Sequence, residues 1–295
     1  MTNPGGLGNI DAAGAGWPAR MFERFKRGWQ LTKASFRVLK HDKEILVLPV
    51  LAFVSIALGL GFWGLVGAAT IGLPAGQTTV PHYVLLFLMY VTSAFGGTFF
   101  LAATIEMASI RLEGGDPVVR DGLAKAWEKK TKLLGWAVIA ATVGILLRVL
   151  RHRGKGMARL LAAGLELGWA VATFFAVPVL VYRDVGPITA IKESGGLMRQ
   201  TWGEAAGGVG SAGIVFIVLG LLGLIPVVLG FLAGSVAILL VGIAVAVAYW
   251  IVLAAANTAV DGILKAALYR FADTGELPSG FEAADPGRVA QTANA

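Results

Sequence analysis

The chain alternates between long apolar stretches and short polar segments. No charged residue lies between Glu44 and Glu106, and the stretch is interrupted only at 70–81, where Gly, Pro, Gln and Thr cluster. A second charge-free stretch runs from Glu204 to Asp261. Since a helix crosses a bilayer with about 20 apolar residues, each stretch is long enough for two spans. The pattern predicts an all-α integral membrane bundle with six spans, at 45–69, 82–105, 133–150, 160–182, 207–229 and 236–260.

The two middle spans differ from the other four. Their uncharged cores are short, and at 1.5 Å per residue they cover roughly 22 to 24 Å of a hydrocarbon layer of about 30 Å. The segment between them, 148–159, is purely basic in charge. This hairpin is therefore either thinner than the other two or carries charge into the membrane. The break between the last two spans, at 230–235, is a weak one.

Polar segments with a helical period precede each pair of spans. Each opens with a proline, places apolar and aromatic residues near one face, and surrounds that face with Lys and Arg. Such helices lie in the membrane interface. The pattern predicts interfacial helix, span, span, repeated three times. The alternative is that any helix leading into a membrane is basic and aromatic. The predicted interfacial helices cover residues 18–43, 117–131 and 187–203.

Composition agrees with a membrane protein. Hydrophobic residues make up 56% of the 295 residues and charged residues only 15%, which is too little polar surface for a soluble globule of this size. The chain has no cysteine, which excludes disulfide scaffolds and thiolate chemistry. Residues 1–16 lack the apolar core of a secretory signal. We expect 1–16 and 282–295 to be disordered tails around one domain at 17–281.

The positive charges predict an orientation. Of the 25 Lys and Arg residues, all but the five within 148–159 fall on one side of a six-span topology, and positive charge favours the cytoplasmic side. We therefore expect a multi-pass protein of the cell (inner, cytoplasmic) membrane with both termini in the cytoplasm. Its expected partners are membrane lipids, anionic at the cytoplasmic leaflet. The candidate lipid-surface residues are Trp29, Lys33, Arg37, Trp127, Lys129, Lys130 and Trp202.

Five polar residues lie within or beside the spans. Ionisable groups at membrane depth are costly and persist mainly when they are paired or face water. Glu106 and Asp261 are near predicted cytoplasmic ends, where headgroups can solvate them. Glu166 is deeper, and pairing with Arg148 across the middle hairpin would neutralise it; the pair is either structural or lines a polar pathway. Asn257 is the fifth candidate.

No pattern for catalysis emerges. The histidines His41, His82 and His152 are on different segments, and no nucleophile elbow or pair of carboxylates at helical spacing is present. We expect no enzyme activity, cofactor, metal or nucleic-acid partner. Small-residue spacings at Gly164/Gly168 and Gly230/Gly234 predict close helix packing, and a homo-oligomer or a membrane-protein partner is plausible.

Several segments between residues 28 and 281 together carry a resemblance to a known family. They are 28–40 with 42–44, 115–117 with 121–123, 173–175 with 178–179, 186–187 with 199–204, and 267–272 with Pro278 and Phe281. Through these segments the chain resembles an uncharacterised family of prokaryotic polytopic membrane proteins, a domain of unknown function. The resemblance implies a six-span fold and brings no activity or ligand with it. In the middle hairpin the chain departs from the family, because its charges are all basic where mixed charges are expected.

Two functional hypotheses follow from these residues. The first is a non-enzymatic membrane component, structural, lipid-interacting or partner-binding, whose basic amphipathic helices engage the inner leaflet. The second is a transporter or channel for ions or small solutes, with a polar route near Glu166, Arg148 and Asn257 and hinges at Pro178 and Pro226. A lipid-modifying enzyme would need reactive residues that the sequence does not offer.

Overall fold

The computed structural model describes residues 17–71, 79–153 and 155–281. Within these ranges the chain is all-α, with ten α-helices, one short 3₁₀ helix at Lys43–Leu46 and no strand. The predicted fold class is therefore confirmed. The predicted tails fall outside the described residues. The helices are α1 Trp17–His41, α2 Val47–Thr70, α3 Val80–Leu112, α4 Val119–Glu128, α5 Lys130–Arg153, α6 Met157–Ala172, α7 Ala176–Tyr182, α8 Pro187–Leu222, α9 Ile225–Leu232 and α10 Val236–Thr274.

Six segments of the described chain are long and apolar enough to cross a membrane. Only 6–22% of the residues in their apolar windows are buried inside the protein. Large side chains such as Leu65 and Phe231, each 74% exposed, therefore need a hydrocarbon environment. The segments are Lys43–Thr70, Val80–Leu112, Lys130–His152, Met157–Tyr182, Val209–Leu232 and Val236–Thr274.

The buried core gathers at one end of the bundle, where α3 and α10 terminate. These helices have 33 and 39 residues, or roughly 50 and 58 Å at 1.5 Å per residue, so they extend well beyond a hydrocarbon layer of about 30 Å. They run in parallel, with Gly262 against Thr104 and Arg270 bonded to Glu113. We call this the packed end; its largest buried side chains include Ile45, Ile105, Met107, Leu133, Phe175, Leu180, Ile263, Leu264, Leu268 and Phe281.

Several helices extend beyond the bounds predicted for their spans. The sequence predicts a span ending at residue 260, whereas α10 reaches Thr274 because Ile263, Leu264 and Leu268 are buried in the packed end. Likewise, the predicted interfacial helix at 187–203 is not a separate element. It is the first half of α8, a continuous helix of 36 residues. The pair Gly195–Gly196 lowers helix propensity without breaking the helix.

Prolines account for two helix breaks within the predicted spans. A proline within a helix clashes with the carbonyl four residues earlier. Pro178 thereby separates α6 from α7, and the buried Phe175 N–H donates instead to Ser194 Oγ at 2.9 Å. Pro226 ends α8 at Leu222, and the carbonyls left over at its last turn accept hydrogen bonds from Tyr249 and Trp250. Each proline therefore breaks a span without leaving these backbone groups unsatisfied.

Helix α1 is covered by protein on its apolar side. Leu31 and Ala34 are buried, the Thr32 and Ser211 hydroxyl oxygens lie 2.7 Å apart, and Phe36 stacks on Phe216 of α8 at 5.6 Å between ring centroids. The sequence predicts a helix with its apolar face in lipid. The structure instead places that face against α8 and leaves the polar side of α1 outward.

Of the four glycines predicted to allow close helix packing, only Gly230 has that role. Within the described ranges, a Cβ built at Gly164 or Gly168 meets no atom within 4 Å, so these glycines do not hold two described helices together. Gly230 does allow close approach, because its Cβ would lie 2.8 Å from Leu239 Cα, while Gly234 adopts a positive φ of 65° in the turn before α10. Close packing by small residues is therefore confined to particular sites.

Gly122 brings α4 against α3. A Cβ at this position would lie 2.5 Å from the Ala103 carbonyl oxygen and 3.0 Å from Met107 Cγ. We expect Gly122→Ala to lower the free energy of unfolding by about 1–3 kcal/mol, since backbone atoms must separate. The thermal unfolding midpoint in mild detergent measures this effect. Gly164→Ala is the control and is expected to be neutral or slightly stabilising; equal midpoints for the two variants would contradict the contact.

Candidate functional site

A network of charged and aromatic side chains lies at the packed end, centred on Arg183. Arg183 follows α7 directly, and its guanidinium reaches two other helices. It donates to Glu193 Oε2 of α8 and to Asp273 Oδ1 of α10, both at 2.7 Å, and to the Tyr269 hydroxyl at 3.2 Å. The bonds to Glu193 and then Asp273 raise the pKa of Arg183, so it is a permanent cation. One side chain thus ties α7, α8 and α10 together.

The network continues inward through two tyrosines. Tyr269 stacks on Tyr182 at 5.4 Å between ring centroids. The Tyr182 hydroxyl donates to the Ile105 carbonyl oxygen at 3.3 Å and interacts with the side chains of Glu106 and Ser109 on α3. Glu106 is partly buried, and its Oε2 atom is buried with no hydrogen-bond partner among the described residues. Arg183 is thereby connected to the carboxylate of the second span.

A second, more exposed ion cluster flanks the network. The Asp184 carboxylate pairs with Lys132 and lies 3.9 Å from Lys129 Nζ, which also contacts Glu128 at 2.8 Å. Lys132 and then Lys129 lower the pKa of Asp184, and the hydrogen bond to Glu128 raises the pKa of Lys129. The cluster links the α4–α5 corner to the segment between α7 and α8.

The cluster predicts an acid-sensitive contribution to stability. The folded-state pKa of Asp184 is below its unfolded value of about 3.9, so its contribution is present above that pH and is lost as the pH falls through the folded value. We expect Asp184→Asn to lower the thermal midpoint slightly at pH 7, and we expect the difference from the unchanged chain to shrink as the pH falls below about 3.9. Added salt is expected to shrink the difference at pH 7. A difference that stays constant on acidification would contradict this role.

The predicted pairing of Glu166 with Arg148 is wrong. Glu166 pairs with Arg151, with 3.1 Å between Oε2 and Nη1, and both side chains are partly exposed near the α5–α6 turn. Arg148 instead lies over the Tyr90 ring at 5.6 Å. Arg148 and Arg151 lie three residues apart on α5 and therefore point in different directions, and it is Arg151 that reaches Glu166. Asn257 is exposed on α10, so the structure does not bring these predicted route residues together.

The other two predicted polar residues have separate environments. Asp261 pairs within α10 with Lys265, one turn away, at 2.7 Å. Glu106 belongs to the network around Arg183, as described above. Of the five candidates, only Glu106 therefore contributes to the packed-end network.

The predicted lipid-surface residues divide into three groups. Trp29 and Trp127 are exposed, with Lys33 over the first ring at 5.3 Å and Lys130 over the second at 4.1 Å. Lys129 turns toward Glu128 and Asp184, and 13% of its side chain is exposed. Two further predicted residues are Arg37, which donates to the Gly280 carbonyl oxygen at 3.1 Å, and Trp202, whose side chain lies outside the described residues.

Sequence reasoning missed the centre of the network. Arg183, Glu193 and Asp273 are single charges on different segments, and nothing in their spacing links them. The available signal was the position of Arg183 directly after an apolar run, where a charge at a span end needs a partner. Among the described residues, no group of three or more His, Asp or Glu side chains is arranged to hold a metal.

The fold and its six apolar helices define a polytopic helical membrane protein. The network at its packed end positions helices through ion pairs. The chain belongs to DUF6159, a family of unknown function, whose model matches residues 80–281. The match covers all helices from α3 onward, including the whole Arg183 network, and leaves α1 and α2 outside. No curated protein and no solved structure matches the chain.

Proposed function

We propose that the protein is a non-catalytic component of the cell membrane that engages anionic lipid through its packed end. One observation carries the proposal. The charged groups inside the packed end pair with one another, whereas the Lys33–Trp29 and Lys130–Trp127 pairs remain on the outside of the same end. Aromatic rings with adjacent cations are suited to the headgroup layer.

The proposed orientation places the packed end in the cytoplasm. Most of the basic residues belong to segments at this end, and positive charge favours the cytoplasmic side. The anionic lipid of that leaflet attracts Lys and Arg by about 1 kcal/mol per residue near the surface. The exposed surface also leaves room for a second copy or another membrane protein as a partner.

Lipid selectivity tests the proposal. The full chain is reconstituted in phosphatidylcholine vesicles that contain spin-labelled phosphatidylglycerol or spin-labelled phosphatidylcholine, and the motion-restricted fraction of each label is measured. We expect a preference for phosphatidylglycerol that falls by about two- to fivefold in Lys33→Gln/Lys130→Gln. Lys155→Gln/Arg159→Gln, at the α5–α6 turn, is the control with the same charge loss. No preference in the unchanged chain, or equal loss in both variants, would contradict the proposal.

The alternative is transport, and Glu106 is the observation that favours it. Its Oε2 atom is buried in a span and has no hydrogen-bond partner within the described part of the chain, and such carboxylates can bind a proton or a cation. Protein-dependent ion or solute flux in liposomes, abolished in Glu106→Gln and kept in Glu166→Gln, would favour this alternative. Headgroup turnover by the purified chain would contradict the non-catalytic assignment.

A further inference from the structure

A groove of about 430 Å³ separates α6 from the first half of α8. Each helix contributes residues at i, i+3 and i+4, so both walls are single helix faces. The walls are apolar except at one position, Arg199, which is exposed. The lining residues are Gly168, Val171 and Ala172 on α6, and Gly195, Met198 and Arg199 on α8.

Glycine keeps the groove open. A Cβ added at Gly168 or Gly195 would meet no atom of the described residues within 4 Å, and the same holds for Gly164 and Gly196 beside them. A glycine in a helix costs about 1 kcal/mol relative to alanine, which is normally offset by close helix contact. At these four positions no described atom of another helix lies within 4 Å of the added Cβ, so close helix contact does not account for the glycines.

The charge at the groove is positive. Two cations of α8 lie on the helix face that carries the groove. They are Lys192 and Arg199, which stand at i and i+7 with Gly195 at i+3 between them. Neither cation forms an ion pair with a described residue, and both are exposed. The exposed Leu165 and Leu167 show that this part of α6 faces hydrocarbon.

We infer that this groove binds one anionic diacyl phospholipid. The phosphate is bound by Arg199 and Lys192, which lie one turn on either side of Gly195 on α8, and an acyl chain lies along Gly168, Val171 and Ala172 of α6. An apolar groove with cations on one wall matches this ligand in both shape and charge. The inference deepens the proposed function and depends on it for the preference for anionic lipid, but it concerns a separate site from Lys33 and Lys130.

Native mass spectrometry tests the groove. The full chain in mild detergent is stripped of lipid and given phosphatidylglycerol and phosphatidylcholine in equal amounts. We expect one phosphatidylglycerol per chain to be retained under conditions that remove phosphatidylcholine. Retention is expected to fall about tenfold in Lys192→Gln/Arg199→Gln. Lys43→Gln, an exposed cation elsewhere at the packed end, is expected to retain the lipid.

A second variant tests the apolar part of the groove. Gly168→Leu/Gly195→Leu fills the space and is expected to abolish retention, while leucine supports the helices and keeps the chain folded. Gly144→Leu on α5, where a Cβ also meets no atom within 4 Å, is the matched control and is expected to retain the lipid. An unchanged thermal midpoint verifies folding in each case.

The outcomes separate this inference from the proposed function. Three results would contradict lipid binding in the groove. They are retention of phosphatidylglycerol by Gly168→Leu/Gly195→Leu, equal retention of both lipids by the unchanged chain, and occupation of the groove by a second copy. Lys33→Gln/Lys130→Gln is expected to keep the single bound lipid although it loses surface selectivity. Conversely, Gly168→Leu/Gly195→Leu, which fills the groove, is expected to leave the preference for spin-labelled phosphatidylglycerol unchanged.

Discussion

Phe281→Ala is expected to lower the free energy of unfolding by about 3–5 kcal/mol, the cost of removing a fully buried phenyl ring. Phe281 is 1% exposed and belongs to the packed-end core. The segment that carries it is attached to distant helices, because Ser279 Oγ donates to the Leu112 carbonyl oxygen and Arg37 donates to the Gly280 carbonyl oxygen. The ring thus closes the core over α3 and α10.

The thermal midpoint in mild detergent, followed by near-ultraviolet circular dichroism, measures this loss. Phe231→Ala is the matched control, since that ring is 74% exposed among the lipid-facing residues of α9. The control variant is expected to unfold near the temperature of the unchanged chain. Equal midpoints for the two variants would show that the core at the packed end does not determine stability.

Arg183→Gln is expected to lower the free energy of unfolding by about 2–3 kcal/mol. The substitution removes charge-assisted bonds to Glu193 and Asp273 and leaves both carboxylates without their cation. Such bonds contribute about 1.5–3 kcal/mol each, and the sum is reduced because a third of the Arg183 side chain is exposed to screening. The effect is therefore expected to be smaller in high salt.

Arg270→Gln is the control for this prediction. Arg270 forms an ion pair with Glu113 at 3.0 Å in which both side chains are well exposed, so its loss is expected to cost no more than about 0.5 kcal/mol. A double-mutant cycle of Arg183→Gln with Asp273→Asn measures the coupling directly. No coupling between the two, or equal losses for Arg183 and Arg270, would rule out Arg183 as the organising residue.

The six spans could be predicted because hydrocarbon imposes a simple rule on sequence. Charge is excluded over the length of a crossing, so the gap between Glu44 and Glu106 is visible without a structure. The rule stops at the membrane surface. Beyond residue 260 the continuation of α10 depends on burial against other helices, through Ile263 and Leu268, and that information is tertiary.

The candidate site could be predicted only in part. Glu106 was identifiable as a carboxylate beside an apolar span, and Pro178 and Pro226 as positions where a helix breaks. Pairing could not be predicted, because Arg183 bonds residues 10 and 90 positions away on other helices. The same limit explains why the predicted partner of Glu166 was wrong. Arg148 and Arg151 are only three residues apart on one helix, and the sequence does not indicate which of them faces Glu166.

Cysteine accessibility tests the six-span topology and its orientation most directly. The chain has no cysteine of its own, so one introduced thiol is the only reactive site. We predict that a membrane-impermeant maleimide labels Lys155→Cys and Ala233→Cys in intact cells, and labels Lys43→Cys and Glu276→Cys only after permeabilisation. Labelling of Lys43→Cys in intact cells would show that the orientation is the reverse of the predicted one. Protection of Lys155→Cys would show that the α5–α6 hairpin does not cross the membrane.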